Sequence, residues 1–559
     1  MSRYILFLLI LSGLSGFSQN VAPNKYFIQF TDKNNSPYSL SRPEEFLTPR
    51  ALQRRKRQHI SLKENDLPVN PAYLNAVSSK GVKLLNASRW LNGVTVYTTD
   101  TSLIDSVEAL PFVKKTVFFK SGKSMEKSYF KNETFGPVHA GFKEAVATEK
   151  DYGKALTQIK QLNGIFLHDA GYTGKGIVIA VLDAGFLNVA NQVVFDSLRK
   201  RGGILGTKDF VIPGGSVYTS SSHGRMVLSC MAANKSGLMI GTAPDASFWL
   251  LKTEDVNSEN VIEGYNWVSG AEYADSVGAD VINSSLGYTT FDDPKFSYTH
   301  AELNGRTAIS TIGAEIAASK GILVVNSAGN SGNDTKFPWV GAPADGDSVL
   351  TVGAVTATGV RASFSSIGPT GDGRIKPTVM AMGQGTTVAN ATTGVISGNG
   401  TSFSSPVLAG IAACLWQANP GAENMQVLTA IKNSGSMAST PNNKMGWGIP
   451  DMKKADSLLS VATGVRKNDS HILNIKVYPN PFSNNFTFDY PGVNSTGDLM
   501  IELYDMQGKI CYKKVVKGER LRPVHVNNLQ ELPEGIYLLN LRKGNWHTSL
   551  KVIKRQVNF

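Results

Sequence analysis

Gly398-Asn399-Gly400-Thr401-Ser402-Phe403-Ser404-Ser405-Pro406 leaves a glycine-rich loop and runs straight into the apolar stretch Val407 to Trp416. The change in composition predicts a helix start with a serine hydroxyl in its first turn, and a helix buried on all sides. Backbone N–H groups at a helix start lack intrahelical partners and carry partial positive charge, so an oxyanion forming beside Ser402 is stabilised there. Pro406 is expected within the first turn, where a missing N–H costs little. Gly398 and Gly400 let the backbone approach a substrate closely. A serine ahead of a helix is also a common N-cap, so these residues alone leave capping and catalysis equally open.

A serine nucleophile needs a base, and the base needs a carboxylate to hold its tautomer. The chain has 8 histidines. His223 lies in Ser221-Ser222-His223-Gly224-Arg225-Met226-Val227, the polar approach to a small-residue helix that ends near Ala233. Upstream, Gly176-Ile-Val-Ile-Ala-Val-Leu-Asp183-Ala184-Gly185 reads as a parallel strand buried on both faces, with Asp183 at its carboxyl end. Functional groups of such sheets gather at the carboxyl ends of the strands. Taken singly, Asp183 reads as a turn aspartate and His223 as a helix cap. Taken in this order with Ser402, the three read as a proton-transfer set.

The Val-Leu-Asp-Ala-Gly strand end, the His-Gly pair and the Gly-Thr-Ser-x-x-x-Pro helix start resemble the subtilisin-type serine proteases, in the order Asp, His, Ser. The resemblance covers about residues 155–460 and implies a three-layer α/β fold with a mostly parallel central sheet. Val281-Ile-Asn-Ser-Ser285-Leu286-Gly287 resembles the family's edge strand that pairs with extended substrate, which implies substrate binding by Ser285, Leu286 and Gly287. Ile322 to Asn330 resembles the strand that delivers the oxyanion-hole asparagine, here Asn330. Gly241-Thr242-Ala243-Pro244 with Lys252, and Phe364 to Pro369, also fit. The implied roles are Asp183 orienting His223, His223 moving the Ser402 proton, and Asn330 with the Ser402 N–H holding the oxyanion. The implied activity is that of a secreted serine endopeptidase working through an acyl-enzyme on protein or peptide substrates.

Ala184 and Arg225 stand where the family commonly has threonine, and Lys376-Pro-Thr-Val-Met-Ala-Met-Gly383 departs from the usual Lys-Pro-Asp-x-x-Ala-Pro-Gly. Arg225 is expected to point to solvent rather than to repel the histidine cation. No metal ligand set is recognisable and no cofactor is assigned; structural calcium is an expectation of the resemblance only. Two other functions stay open. One is a surface binding protein on an idle protease scaffold, and the other a triad hydrolase acting on non-peptide acyl groups.

At 559 residues the chain is long for one domain, and 42% hydrophobic with 18% charged residues is globular composition. The formal net charge of +12 forms no single face, and Arg54-Arg55-Lys56-Arg57 is the dense basic cluster, outside the catalytic region. Nucleic acid is therefore not an expected partner. Arg3, the apolar run Tyr4 to Leu14 and Gly16-Phe17-Ser18 predict an export leader over residues 1–18. No later segment has the roughly 18 apolar residues of a transmembrane span. Cys230, Cys414 and Cys511 are too few for a disulfide framework, and Cys230 and Cys414 are expected as buried free thiols.

Residues 19–145 are expected to hold a small α+β domain and an exposed linker. Its strands are Lys25–Asp32, Gly93–Thr99 and Val113–Phe119, and its helices Tyr73–Ser79 and Ser102–Leu110. Ahead of a secreted protease this resembles an inhibitory propeptide, with 121–150 as the cleavable linker; a permanent accessory domain is the alternative. Residues 146–465 form the expected peptidase domain. Residues 470–559 read as a β-sandwich with strands at Asn485–Tyr490, Leu499–Tyr504, Lys509–Val515 and Gly535–Leu541. Tyr478-Pro-Asn-Pro-Phe482, the Leu-Tyr-Asp-x-x-Gly-Lys turn and Gly535-Ile-Tyr537 resemble the type A sorting domain of the type IX secretion system. That resemblance implies export through the periplasm to the cell surface or medium, with the secretion machinery as partner; a binding sandwich is the alternative.

Overall fold

The computed structural model describes residues 24–119, 133–137, 151–462, 475, 477–488, 498–505, 509–517, 523–543 and 546–555. The expected leader lies outside the described residues, as does most of the expected linker. The chain divides into two compact units, Met1–Leu459 and Ser460–Phe559.

The N-terminal part of the first unit is an antiparallel sheet in the order β2-β3-β1-β4, from β1 (Lys25–Phe30), β2 (Lys83–Ser88), β3 (Gly93–Tyr97) and β4 (Val113–Phe119). Helices α1 (Pro49–Arg57), α2 (Pro71–Ser78) and α3 (Ser102–Glu108) accompany it. The sequence reading missed β2 and α1. The Thr48 cap, which accepts from Ala51 N ahead of Pro49, is the signal that could have found α1, whereas Lys83–Ser88 buries the polar Asn86 and Ser88 and carries no strand alternation.

The basic cluster proves to be a fastening rather than a solvated face. Arg54 and Arg55 are buried, and both bind the Asp275 carboxylate, Arg55 at 2.8 Å. Arg89 joins the same carboxylate at 2.6 Å, while Arg50 and Arg57 pair with Asp280. Asp275 lies on α5 (Ile262–Ser276) of the catalytic region and is fully buried, so this one carboxylate ties three arginines of the N-terminal domain to that region. Beside it, Phe27 and Phe119 pack on Ile262 and Tyr265 of the same helix.

A seven-stranded sheet forms the centre of the unit. In chain order its strands are β6 (Val178–Asp183), β7 (Ile204–Asp209), β8 (Ser247–Lys252), β9 (Val281–Ser284), β10 (Leu323–Ser327), β11 (Val349–Val355) and β12 (Val379–Met382). They lie in the order β12-β11-β10-β9-β6-β8-β7, and every pairing is parallel. Alternate residues serve opposite cores: Ile179 and Val181 face the helices α4 (His223–Ala232) and α7 (Thr401–Ala418), whereas Val178, Ala180 and Leu182 face α5 and α6 (Ile309–Ser319). Consecutive apolar residues from Val178 to Leu182 of β6 are what a sheet covered on both faces requires. This is the expected three-layer α/β architecture.

Three expectations are corrected here. Val281–Ser284 is not an edge strand: β9 pairs with β10 on one side and β6 on the other, and only residues 285–287 leave the ladder. A run buried at all four positions suits the middle of the sheet. Pro406 is the sixth residue of α7, not part of its first turn. Its missing N–H would have gone to the Ser402 carbonyl; that oxygen instead accepts from Ser285 Oγ at 2.9 Å. Third, Thr134–Gly136, inside the expected exposed linker, forms β5, the outer strand of a three-stranded antiparallel sheet with β14 (Val395–Asn399) and β13 (Thr386–Ala389).

Cys230 and Cys414 are buried thiols, the latter donating to the Thr242 carbonyl at 3.1 Å. The C-terminal unit has two antiparallel sheets sharing one core. Phe486, Phe488, Val524 and Val526 of one meet Ile501, Leu503, Leu539 and Leu541 of the other, which makes a sandwich. Strands at Val524–Val526 and Trp546–Lys554 are additional to those expected.

Candidate active site

Asp183 ends β6 and is fully buried. Its Oδ1 accepts from the Ala184 N–H and faces His223 Nδ1, both at 2.8 Å. Asp183 Oδ2 is buried with no hydrogen-bond partner among the described residues. The methyl of Ala184, where the resembled family has a hydroxyl, offers it nothing. Burial drives the Asp183 carboxyl up, against the pull of the His223 cation and its hydrogen bond.

His223 opens α4, so its ring projects from the helix start across the end of β6. Helix and strand approach closely because residue 224 is glycine: a Cβ there would come within 2.5 Å of the Gly185 carbonyl. His223 Nε2 faces Glu133 Oε1 at 3.3 Å. Burial on its own lowers the imidazole pKa; the Asp183 and Glu133 carboxylates outweigh it and carry the group up to about 10. Arg225 takes no part. It is buried, contrary to the expected solvent position, and Nη1 donates to the Leu187 carbonyl at 2.9 Å.

Ser402 sits in the first turn of α7, all of whose residues except Gln417 are buried. Ser402 Oγ points to the Ser285 carbonyl at 3.5 Å, and Ser285 Oγ returns the contact to the Ser402 carbonyl. The Phe403 ring, next in sequence, lies 6.0 Å from the His223 ring. Residues 285–287, just past the end of β9, therefore run directly beside the serine, with Ser285 and Leu286 fully buried.

Asn330 follows β10 through Gly329, whose φ of +104° is left-handed and whose Cβ would meet Ser366 Oγ at 2.9 Å. Asn330 Oδ1 accepts from Thr401 N at 2.8 Å and from Thr401 Oγ1 at 2.9 Å. Both bonds fix the amide with its Oδ1 end on Thr401. The structure thus gathers Asp183, His223, Ser402, Asn330 and residues 285–287 at one carboxyl edge of the sheet. Glu133 is the neighbour that sequence reading missed. Nothing local distinguishes a lone glutamate in a stretch rich in Lys, Glu and Ser.

At the same edge, Glu254, Glu259 and Glu263 bring carboxylate oxygens within 4.8 Å of one another. Glu254 accepts from the Tyr288 hydroxyl at 2.9 Å, and burial lifts its pKa to about 8. Burial first, and the neighbouring glutamates second, push the Glu259 and Glu263 carboxyls up as well. Among the described residues no helix is long and apolar enough to cross a membrane.

Three family models match the chain. Residues 174–448 match the subtilase family, 25–134 the peptidase S8 propeptide domain of Bacteroidota, and 476–555 the secretion system C-terminal sorting domain. Subtilisin from Bacillus pumilus is 34% identical over 283 residues, covering 50% of this chain and 90% of that protein. Subtilisin NAT of Bacillus subtilis subsp. natto and Subtilisin E of Bacillus subtilis are each 35% identical over 283 residues. Those matches cover 50% of this chain and 65% of the relatives' own length.

Proposed function

Because the chain belongs to the subtilase family, we propose that it is a secreted serine endopeptidase acting through Asp183, His223 and Ser402. The observation that carries this reading is the 2.8 Å contact between Asp183 Oδ1 and His223 Nδ1 at the same sheet edge as a helix-start serine. That contact fixes the tautomer, leaving Nε2 as the nitrogen that exchanges protons. Ser402 Oγ adds to the substrate carbonyl as its proton passes to Nε2. The Asn330 amide and the Ser402 N–H receive the oxyanion. His223 then protonates the leaving amine, and water resolves the acyl-serine by the same path. Residues 285–287 offer backbone to an extended peptide, whose main-chain bonds give affinity while side-chain pockets give selectivity.

The full set of nucleophile, base, carboxylate and oxyanion donor favours catalysis over a binding role, which places no demand on those groups. We propose no cofactor for the chemistry, since these side chains supply every proton and charge it needs. A structural calcium ion, the expectation of the resemblance, would meet hard oxygen donors at Glu254, Glu259 and Glu263. Digestion of casein, abolished by phenylmethylsulfonyl fluoride, is the expected result. Ester hydrolysis without casein digestion would select the acyl-hydrolase alternative, and neither activity would leave a binding scaffold.

The domain assignment follows: leader 1–18, propeptide and linker 19–145, peptidase 146–465, and sorting domain 470–559. The tail has its own apolar core, so it folds without catalytic duty and can act as a shape read by the type IX machinery. Deleting residues from 470 onward is expected to leave caseinolysis intact and to trap the enzyme in the periplasm of a type IX-competent host. The same residues grafted to a periplasmic reporter are expected to carry it out. A truncated enzyme found outside the cell would refute this.

A further inference from the structure

The two oxygens of the Asp183 carboxylate are served unequally. Oδ1 takes both side-chain bonds, from the Ala184 N–H and from His223 Nδ1, each at 2.8 Å. Oδ2 is buried, and no donor among the described residues reaches it. A buried acceptor normally finds a partner, so an orphan at the centre of a proton-transfer set calls for a functional account.

The elements packed around Asp183 explain why none comes from a distance. On β8, Lys252 lies opposite Asp183 in the ladder, but its amine turns to Asp209 Oδ2 at 3.2 Å. Thr253 donates its backbone N–H to the Asp183 carbonyl at 3.0 Å, and its buried hydroxyl reaches no acceptor. On β9, Ser284 Oγ is engaged by Trp267 Nε1 at 2.9 Å. On α4, Arg225 is committed to the Leu187 carbonyl. The charged groups left facing the pair are Glu133, against His223 Nε2 at 3.3 Å, and Glu254, a like charge to Asp183 just beyond β8.

Position 184 is the place from which a donor could come. Ala184 is fully buried, and its own N–H already touches the carboxylate. Its Cβ is two bonds from that nitrogen, so a hydroxyl there stands within reach of the same carboxylate. A methyl supplies none. Each donor to a carboxylate stabilises the ionised form and weakens its pull on a neighbouring cation. With Oδ2 unserved, more of the Asp183 charge is felt at the imidazole.

We propose that Ala184 is a positioning residue for proton transfer: by withholding a donor from Asp183 Oδ2 it keeps the carboxylate's charge on His223, and so sets the acid limit of peptide hydrolysis. This role rests on the catalytic reading above and names the residue that tunes its base. The sign follows from the chemistry. Nε2 must be unprotonated to accept the Ser402 proton, and a carboxylate that binds the ring cation tightly keeps the ring protonated to higher pH. Hydrolysis therefore switches on later as pH rises. The same tight pairing stabilises the ring cation that forms when Ser402 adds to the substrate carbonyl. Ala184 thus costs activity in acid and quickens the step once the ring is neutral.

Ala184→Thr and Ala184→Val provide the test, because their side chains share one shape and differ in a hydroxyl against a methyl. Both are made in the full chain beside wild type and Ala184→Ser, and kcat/KM for a chromogenic peptide is followed against pH. The acid limb of the Thr and Ser variants is expected about half a pH unit below that of wild type, a roughly threefold loss of proton affinity at His223. Their kcat on the plateau is expected to fall a few-fold with KM unmoved. Ala184→Val is expected to keep the wild-type limb. Glu133 acts on the other ring nitrogen, so the series is repeated in Glu133→Gln, where the limbs should move down together and the gap between Thr and Val should persist. Coincident limbs for Thr and Val would overturn the proposal, and so would a downward shift of equal size in both. If the Thr variant folds poorly, as a Tm below that of Ala184→Val would reveal, the smaller Ala184→Ser decides the matter against wild type. Loss of hydrolysis in every protein, wild type included, would refute the catalytic reading; active enzymes sharing one acid limb would refute the role of Ala184 alone.

Discussion

Ser402→Ala is expected to lower peptide hydrolysis by roughly 10⁶-fold, and adding His223→Ala is expected to cost almost nothing more. The size is that of the subtilisin case and is carried over from the relatives this chain resembles, not obtained from its geometry. The non-additivity follows from the roles proposed for the two side chains. Ser402 without His223 has no acceptor for its proton, and His223 without Ser402 has nothing to activate, so either loss removes the whole unit. Asp183→Asn should cost less, about 10⁴-fold, because the imidazole remains but in the wrong tautomer. Steady-state kinetics on a chromogenic peptide measures all four proteins, produced by co-expression with an intact N-terminal domain so that folding is not the variable. Retention of more than about a thousandth of wild-type turnover by Ser402→Ala would mean that another nucleophile does the work.

What made the site legible in the sequence was its locality. Each group sits at the end of an element whose pattern is written in adjacent residues: Asp183 after six consecutive apolar residues, His223 at the head of a small-residue helix, Ser402 at a glycine-to-apolar boundary. The parallel sheet was legible for the same reason, since β6 is a short apolar run without alternation.

What escaped was the pairing of distant residues. Arg54 and Asp275 are more than two hundred positions apart, and neither one's surroundings in sequence hints at the other. Glu133 and His223 are separated by 90 positions, and Glu133 lies in a stretch whose composition reads as solvated linker. Pro406 was misplaced because its tolerance inside α7 depends on the Ser285 hydroxyl, which takes over the carbonyl the proline leaves unserved. Arg225 was misplaced because a long charged side chain is normally solvated; here Gly185 to Leu187 folds over it and supplies a carbonyl.

Asp275→Ala is expected to uncouple the N-terminal domain from the catalytic region while leaving turnover of correctly folded enzyme unaffected. Asp275 is fully buried and binds Arg54, Arg55 and Arg89 at once. Removing it leaves three enclosed guanidiniums facing one another, and breaking a buried ion pair from one side costs about 3–5 kcal/mol. At that cost the N-terminal domain is held roughly a hundredfold or more weakly. Asp66, which binds Arg55 at 2.9 Å and Lys320 at 2.9 Å, offsets part of the repulsion but reaches neither Arg54 nor Arg89. In a Ser402→Ala background, where self-cleavage cannot confuse the result, the variant should show a lower Tm and rapid tryptic loss of residues 24–119. The pH dependence has a definite sign. Burial works to raise the Asp275 pKa, but the three arginines overcome it and hold the carboxyl below its ordinary value of 3.8. The stability it contributes is therefore present above pH 3.8 and is lost only as pH falls through the lowered folded value. The intact precursor should keep its two parts together at pH 4 and come apart in stronger acid, whereas the Asp275→Ala precursor should already be loosened at neutral pH. Equal protease resistance of the two proteins at pH 7 would show that the apolar contact of Phe27 and Phe119 with α5 and the pairing of Arg50 and Arg57 with Asp280 hold the domain without Asp275.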